Sequence, residues 1–178
     1  MSGMNSKNIF YILACISYCL IIGAAVYEHI AVWPVAFSEP PRSLTMFQGN
    51  YAIEPALFWK FIHPVTLTLF IITLGLNWKT ERKKFILIPL ITYIILLIVT
   101  FIYFVPELMS LIKTPYSEAV DEVVRKRGSL WITLSSIRLS LIVITTCILM
   151  LGLTKPATKW YHWPKRSHWY IKRIKTMC

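Results

Sequence analysis

Four long stretches of the chain are almost wholly apolar, at about residues 8–33, 55–77, 84–105 and 130–153. Each is long enough for the ~20 helical residues that cross the ~30 Å hydrocarbon core of a bilayer. Lipid offers no partner to a backbone N–H or C=O, which leaves helices or closed barrels, and runs this continuous lack the alternation of barrel strands. The pattern therefore predicts an all-α fold: a single integral membrane domain over residues 1–178, built as a four-helix transmembrane bundle. The first run stays apolar to about Phe37 with no clear cleavage site after it. It exceeds the ~7–15 residues of a signal-peptide core and reads as a retained span.

Prolines and glycines set the expected boundaries. Pro34 is expected to stop the first helix, Pro55 to open the second and Pro106 to end the third. Pro64 falls inside the second span, directly after His63. There it withholds a hydrogen bond from the Lys60 carbonyl and kinks the helix. Loop one holds Pro40-Pro41 and the segment Met46 to Tyr51, and is expected to fold back over the bundle as a partial lid. Loop three carries its own helix signals. Ser117 can N-cap, Glu118, Asp121 and Glu122 suit the early turns, Arg125, Lys126 and Arg127 the last, and Gly128 the stop. A short amphipathic helix is predicted there.

Charge then orients the bundle. The net charge of +11 is concentrated in Lys79, Arg82, Lys83 and Lys84 of the second loop and in the seven Lys and Arg residues after Gly152. By the positive-inside rule both termini and the second loop are cytoplasmic, and loops one and three face out. The expected location is the cytoplasmic membrane of a bacterium. Residues 154–178 read as a basic aromatic cytoplasmic tail, with Lys159-Trp160-Tyr161-His162-Trp163 followed by His168-Trp169-Tyr170. Such aromatics favour the headgroup layer and such cations favour anionic lipid headgroups, so the tail is expected to anchor on the bilayer. A docking site for a cytoplasmic partner is the alternative, and nucleic acid is not indicated. A hydrophobic content of 56% excludes an ordinary soluble domain. Of the cysteines, Cys15 and Cys19 are one turn apart, Cys147 lies in the fourth span and Cys178 is terminal. None sits in an outer loop, and the Cys15/Cys19 pair suits helix packing more than a redox or soft-metal site.

Candidate chemistry rests on ionisable residues inside this apolar frame: Glu28, His29, His63, Glu107 and Arg138. A charge at a helix centre in lipid costs about 2.5–3.5 kcal/mol on insertion scales, so these groups pair, bind a ligand or move protons. At ~1.5 Å per residue, His63 and Arg138 each lie about 12 Å from the outer end and Glu28 about 9 Å. Tyr103 and Glu107 are one turn apart at the outer end of span three. Trp131, Ser135 and Arg138 share one helix face, which should turn inward. One reading is a structural ion pair of Arg138 with Glu28 or Glu107. The other is a buried site with Glu28, His63, Arg138 and Tyr103 as catalytic groups, lined by Trp131 and Ser135. His63, Glu28, His29 and Glu107 could there ligate a transition metal such as copper or iron. Glu28 and His63 could equally serve as acid–base groups, with Arg138 holding an enolate-like oxygen. No HExxH, CxxC, Walker or GxGxxG motif occurs.

Two segments resemble the anthrone oxygenase-like family of small four-helix membrane proteins. These are Gly23 through Tyr27-Glu28-His29 to Pro34, and Trp131-Ile132-Thr133-Leu134-Ser135-Ser136-Ile137-Arg138. Ser135 and Ser136 stand where an asparagine is expected, and His63-Pro64 falls outside the family pattern. The resemblance implies oxygenation of a polyphenolic anthrone, with Arg138 and Trp131 in the site. Three function classes follow. One is a membrane oxidoreductase acting on a lipophilic aromatic or quinone-like substrate. Another is an ion, proton or metal carrier, which with four helices requires an oligomer. The third is an accessory or assembly subunit of a membrane complex.

Overall fold

The computed structural model describes residues 5–157. The aromatic run of the predicted tail and Cys178 lie outside them. Among the described residues the chain is helical without a strand. Four helices are long and apolar enough to cross a membrane: α1 (Ser6–Ala36), α2 (Pro55–Asn77), α3 (Lys83–Ile112) and α4 (Glu122–Thr154). α1 packs on α2 and α4, and α3 packs on the same two, so the helices form a four-cornered bundle with α1 and α3 on one diagonal.

Start signals act as local chemistry dictates. Asn5 Oδ1 accepts from Lys7 N at 3.1 Å at the head of α1, and Pro55 opens α2. The stop signals do not act as expected. Neither Pro34 nor Pro106 ends its helix. Glu28–Val32 and Thr100–Phe104 each form a π turn just ahead of the proline. Trp33 N bonds to Glu28 O and Val105 N to Thr100 O, five residues back in both cases. The wider turn accommodates a proline ring that would press on the carbonyl four residues earlier. Helix then resumes, to Ala36 in α1 and to Ile112 in α3.

The separate amphipathic helix predicted in loop three does not form. Asp121 is the cap, its Oδ1 accepting from Val123 N (2.8 Å) and Val124 N (3.1 Å). Helix runs unbroken from Glu122 to Leu151 through Gly128. A glycine inside a helix costs about 1 kcal/mol and does not by itself stop it. Here the Phe37 ring occupies the space a Cβ would need at Gly128. Of the residues read as a free-standing helix, Glu122, Arg125, Lys126 and Arg127 are thus the first turns of α4, and Ser117 and Glu118 lie in the loop before it.

Two aromatic-rich cores fill the bundle. One joins Tyr11, Tyr18, Phe70, Ile86, Tyr93 and Leu149 toward the end that holds the second loop, the basic end. The other joins Trp33, Phe37, Leu44, Phe104, Leu111 and Trp131 toward the loop end, where loops one and three meet. Loop one does lie over this end. Leu44 is fully buried, Phe47 packs 5.6 Å from Trp33, and Gln48 Nε2 donates to Ile112 O at 2.7 Å. At the basic end Arg82 is buried and clasps the chain that leaves α4. It donates to Lys155 O (2.7 Å), Leu153 O (3.4 Å) and Asn8 Oδ1 (2.7 Å), and its guanidinium lies over the Tyr11 ring. The bundle exterior stays apolar, with Ile88, Ile91, Ile95 and Ile98 all exposed along α3.

Candidate functional site

Between the two cores lies a layer of polar side chains drawn from all four helices. Glu28 comes from the π turn of α1. Its Oε1 accepts the Trp59 indole N–H at 2.9 Å. Trp59 stacks on His63 one turn along α2, with ring centroids 5.3 Å apart. His63 Nδ1 hydrogen-bonds the Tyr93 hydroxyl of α3 at 2.7 Å. Carboxylate, indole, imidazole and phenol thus follow one another across three helices.

Arg138 enters from α4. Its Nη1 donates to Thr100 Oγ1 at 2.8 Å and its Nη2 to Ser135 Oγ at 3.0 Å. Its guanidinium lies over the Phe104 ring, 4.2 Å from the centroid. Thr100 and Phe104 begin and end the second π turn, so that turn presents both groups to the arginine. Glu28, His63 and His29 all lie within electrostatic reach of Arg138. Even so, Arg138 is in no salt bridge among the described residues, whose ion pairs are Arg42–Glu39, Arg125–Glu122 and Arg127–Glu107. Glu28 and Arg138 therefore share the layer without direct contact.

Two buried ring nitrogens of α1, His29 Nε2 and Trp33 Nε1, have no hydrogen-bond partner among the described residues. Trp33 is 2% exposed and packs edge-on against Trp131 at 4.9 Å. Trp131 in turn donates its indole N–H to Phe104 O at 3.0 Å, tying α4 to the second π turn. Trp131 and Ser135 are buried, as their shared helix face with Arg138 requires.

The remaining expected site residues lie elsewhere. Glu107 accepts a two-pronged pair from Arg127, at 2.8 and 2.9 Å, near the loop end. It belongs there because the α3 helix continues past Pro106. Tyr103 packs against Phe104 at 5.2 Å and is not hydrogen-bonded to Glu28, His63 or Arg138. His29 is turned onto its own helix, Nδ1 on Ala25 O at 2.7 Å. Among the described residues no three His, Cys, Asp or Glu side chains are grouped to hold a metal ion. Of the four expected ligands, Glu107 is engaged by Arg127 near the loop end, and His29 and His63 hydrogen-bond through Nδ1 to Ala25 O and to the Tyr93 hydroxyl.

Trp33 and Trp59 belong to the aromatic supply that the sequence offers such a site, whereas Tyr93, Thr100 and Phe104 escaped sequence reasoning. One signal could have found Thr100. Thr100 stands six residues before Pro106, as Glu28 stands six before Pro34.

Comparison with protein-family models, with curated proteins and with solved structures finds no match to this chain.

Proposed function

We propose that the chain is a multi-pass membrane protein with both ends cytoplasmic, and that its polar layer is the site of an oxidoreductase acting on a lipophilic hydroxyaromatic or quinone-like substrate. The observation that carries this reading is the Glu28–Trp59–His63–Tyr93 sequence of contacts facing Arg138 at one level of an apolar bundle. Trp59 holds the Glu28 carboxylate, and Tyr93 fixes the His63 ring through Nδ1, leaving Nε2 for proton exchange. Glu28 or His63 takes the proton of a phenol or of an activated C–H. Arg138 holds the oxyanion so formed. The deprotonated substrate is then open to dioxygen, the co-substrate implied by resemblance to the anthrone oxygenase-like family. Concentration of basic residues at one end supports the orientation.

The test is oxygen uptake by the reconstituted protein on addition of anthrone or of a lipophilic hydroquinone. Wild-type protein is expected to accelerate uptake, and Glu28→Gln and His63→Gln to lower the rate by roughly 10²-fold or more. Uptake equal with and without protein for both substrates overturns the reading.

A second reading has its own support. Thr100, Ser135 and the Phe104 face already satisfy Arg138 within the chain, as a purely structural arginine would be satisfied. In that case the protein is an accessory or assembly subunit of a membrane complex. It then co-purifies with a stoichiometric partner and its layer variants lose stability alone.

A further inference from the structure

A second polar feature lies at the opposite end of the bundle from loops one and three. The α2–α3 turn and the segment after α4 enclose an open cleft of about 640 Å³, lined by Trp78, Lys79, Lys83, Lys84, Phe85 and Lys155 among others. Four lysines face one glutamate, Glu81. No described carboxylate forms a salt bridge with any of these lysines. Two of the ammonium groups rest on aromatic faces instead. Lys83 Nζ lies 3.6 Å from the Trp78 ring centroid and Lys155 Nζ 5.7 Å from that of Phe85.

The cleft is held by buried chemistry rather than by its own lysines. Arg82 binds Lys155 O at 2.7 Å and so clamps one wall to the other. Thr80 Oγ1 donates to Asn77 O (2.9 Å) and accepts from Arg82 N (3.2 Å), which fixes the turn. Directly beyond it, Lys84, Ile88, Ile91, Ile95 and Ile98 follow at spacings of four, three, four and three, one continuous exposed face of α3. A cationic cleft thus opens onto an apolar stripe running along the bundle.

We propose that this cleft is a binding site for an anionic phospholipid, its phosphate held by Lys79, Lys83, Lys84 and Lys155 and its acyl chains laid along the isoleucine stripe of α3. Basic pockets between helices on the cytoplasmic side suit phosphate headgroups, and Trp78 suits the headgroup layer. Free phosphate would use the lysines but not the stripe. The proposal rests on the reading that the chain crosses a membrane with this end cytoplasmic.

Full-length protein is reconstituted in phosphatidylcholine vesicles containing cardiolipin, checked by flotation, then extracted in detergent and its retained lipid measured by native mass spectrometry. Cardiolipin is expected to be retained over phosphatidylcholine. The variant Lys79→Gln/Lys83→Gln/Lys84→Gln/Lys155→Gln, with residues 156–178 unchanged, is expected to lose that retention by at least ~10-fold. Arg125→Gln/Lys126→Gln, at the loop end, is expected to keep it. Unchanged retention in the quadruple variant, or equal loss in both variants, overturns the proposal. Displacement of the lipid by millimolar inorganic phosphate also overturns it, in favour of a free-anion site. Protein that fails to float with the vesicles overturns the membrane reading and the proposal together, whereas the other failures leave the membrane reading standing.

Discussion

Trp59 gives its indole N–H to Glu28 at 2.9 Å while its ring stacks on His63, so one side chain fixes both the carboxylate and the imidazole of the polar layer. Removing only the N–H isolates half of that role. Trp59→Phe keeps a stacking ring and leaves Glu28 without its donor. A hydrogen bond to a charged group contributes about 1.5–3 kcal/mol, so the expected loss of stability is of that order. In a cycle with Glu28→Ala, the coupling energy read from unfolding in detergent should exceed ~0.5 kcal/mol. Strict additivity would show that the contact carries no energy.

Glu107 supplies the opposite expectation. Its partner Arg127 is 41% exposed and Glu107 itself 23%, near the loop end. Exposed pairs contribute about 0–1 kcal/mol. Glu107→Gln should therefore lower stability by no more than ~1 kcal/mol and leave oxygen uptake at the wild-type rate. A loss of uptake comparable to that of Glu28→Gln would return Glu107 to the site.

The number of the spans, their helical character and the inward face of Trp131, Ser135 and Arg138 were legible in the sequence, because hydropathy and helical spacing are local. What Pro34 and Pro106 do was not. A proline signals a missing N–H, but whether the chain stops or widens into a π turn depends on the surrounding packing. Phe104 O engaged by Trp131 and Thr100 engaged by Arg138 come from another helix, and neither is visible from α3 alone. Continuation past Pro106 also carried Glu107 away from the polar layer and toward Arg127. Gly128 misled for the same reason, since the Phe37 ring that makes glycine fit there lies about ninety residues earlier.

The glycines divide into two classes that stability measurements should separate. A Cβ on Gly128 would overlap the Phe37 ring, and one on Gly152 would overlap the Tyr11 hydroxyl and meet Phe85 Cβ at 2.6 Å. Overpacking of this kind costs about 1–3 kcal/mol, the loss expected for Gly128→Ala and Gly152→Ala. Gly23 and Gly75 lie within helices with nothing within 4 Å of an added Cβ. Alanine there should be neutral or stabilise by up to about 1 kcal/mol through helix propensity. Thermal unfolding of the four single variants in one detergent checks both classes.

Arg138 separates catalysis from architecture. Arg138→Lys keeps a positive charge but loses the planar fork that reaches Thr100 and Ser135 together. Thr100→Val removes one of those acceptors and leaves the arginine in place. If Arg138 holds a developing oxyanion, Arg138→Lys should lower the oxygen-uptake rate by roughly 10²-fold. Thr100→Val, which only repositions the guanidinium, should lower it less. Their effects on melting temperature should then be similar and small, because each removes a comparable hydrogen bond of about 1 kcal/mol. If Arg138 is structural, rate and melting temperature fall in proportion across both variants. A rate loss that tracks stability would therefore favour the accessory-subunit reading over the enzymatic one.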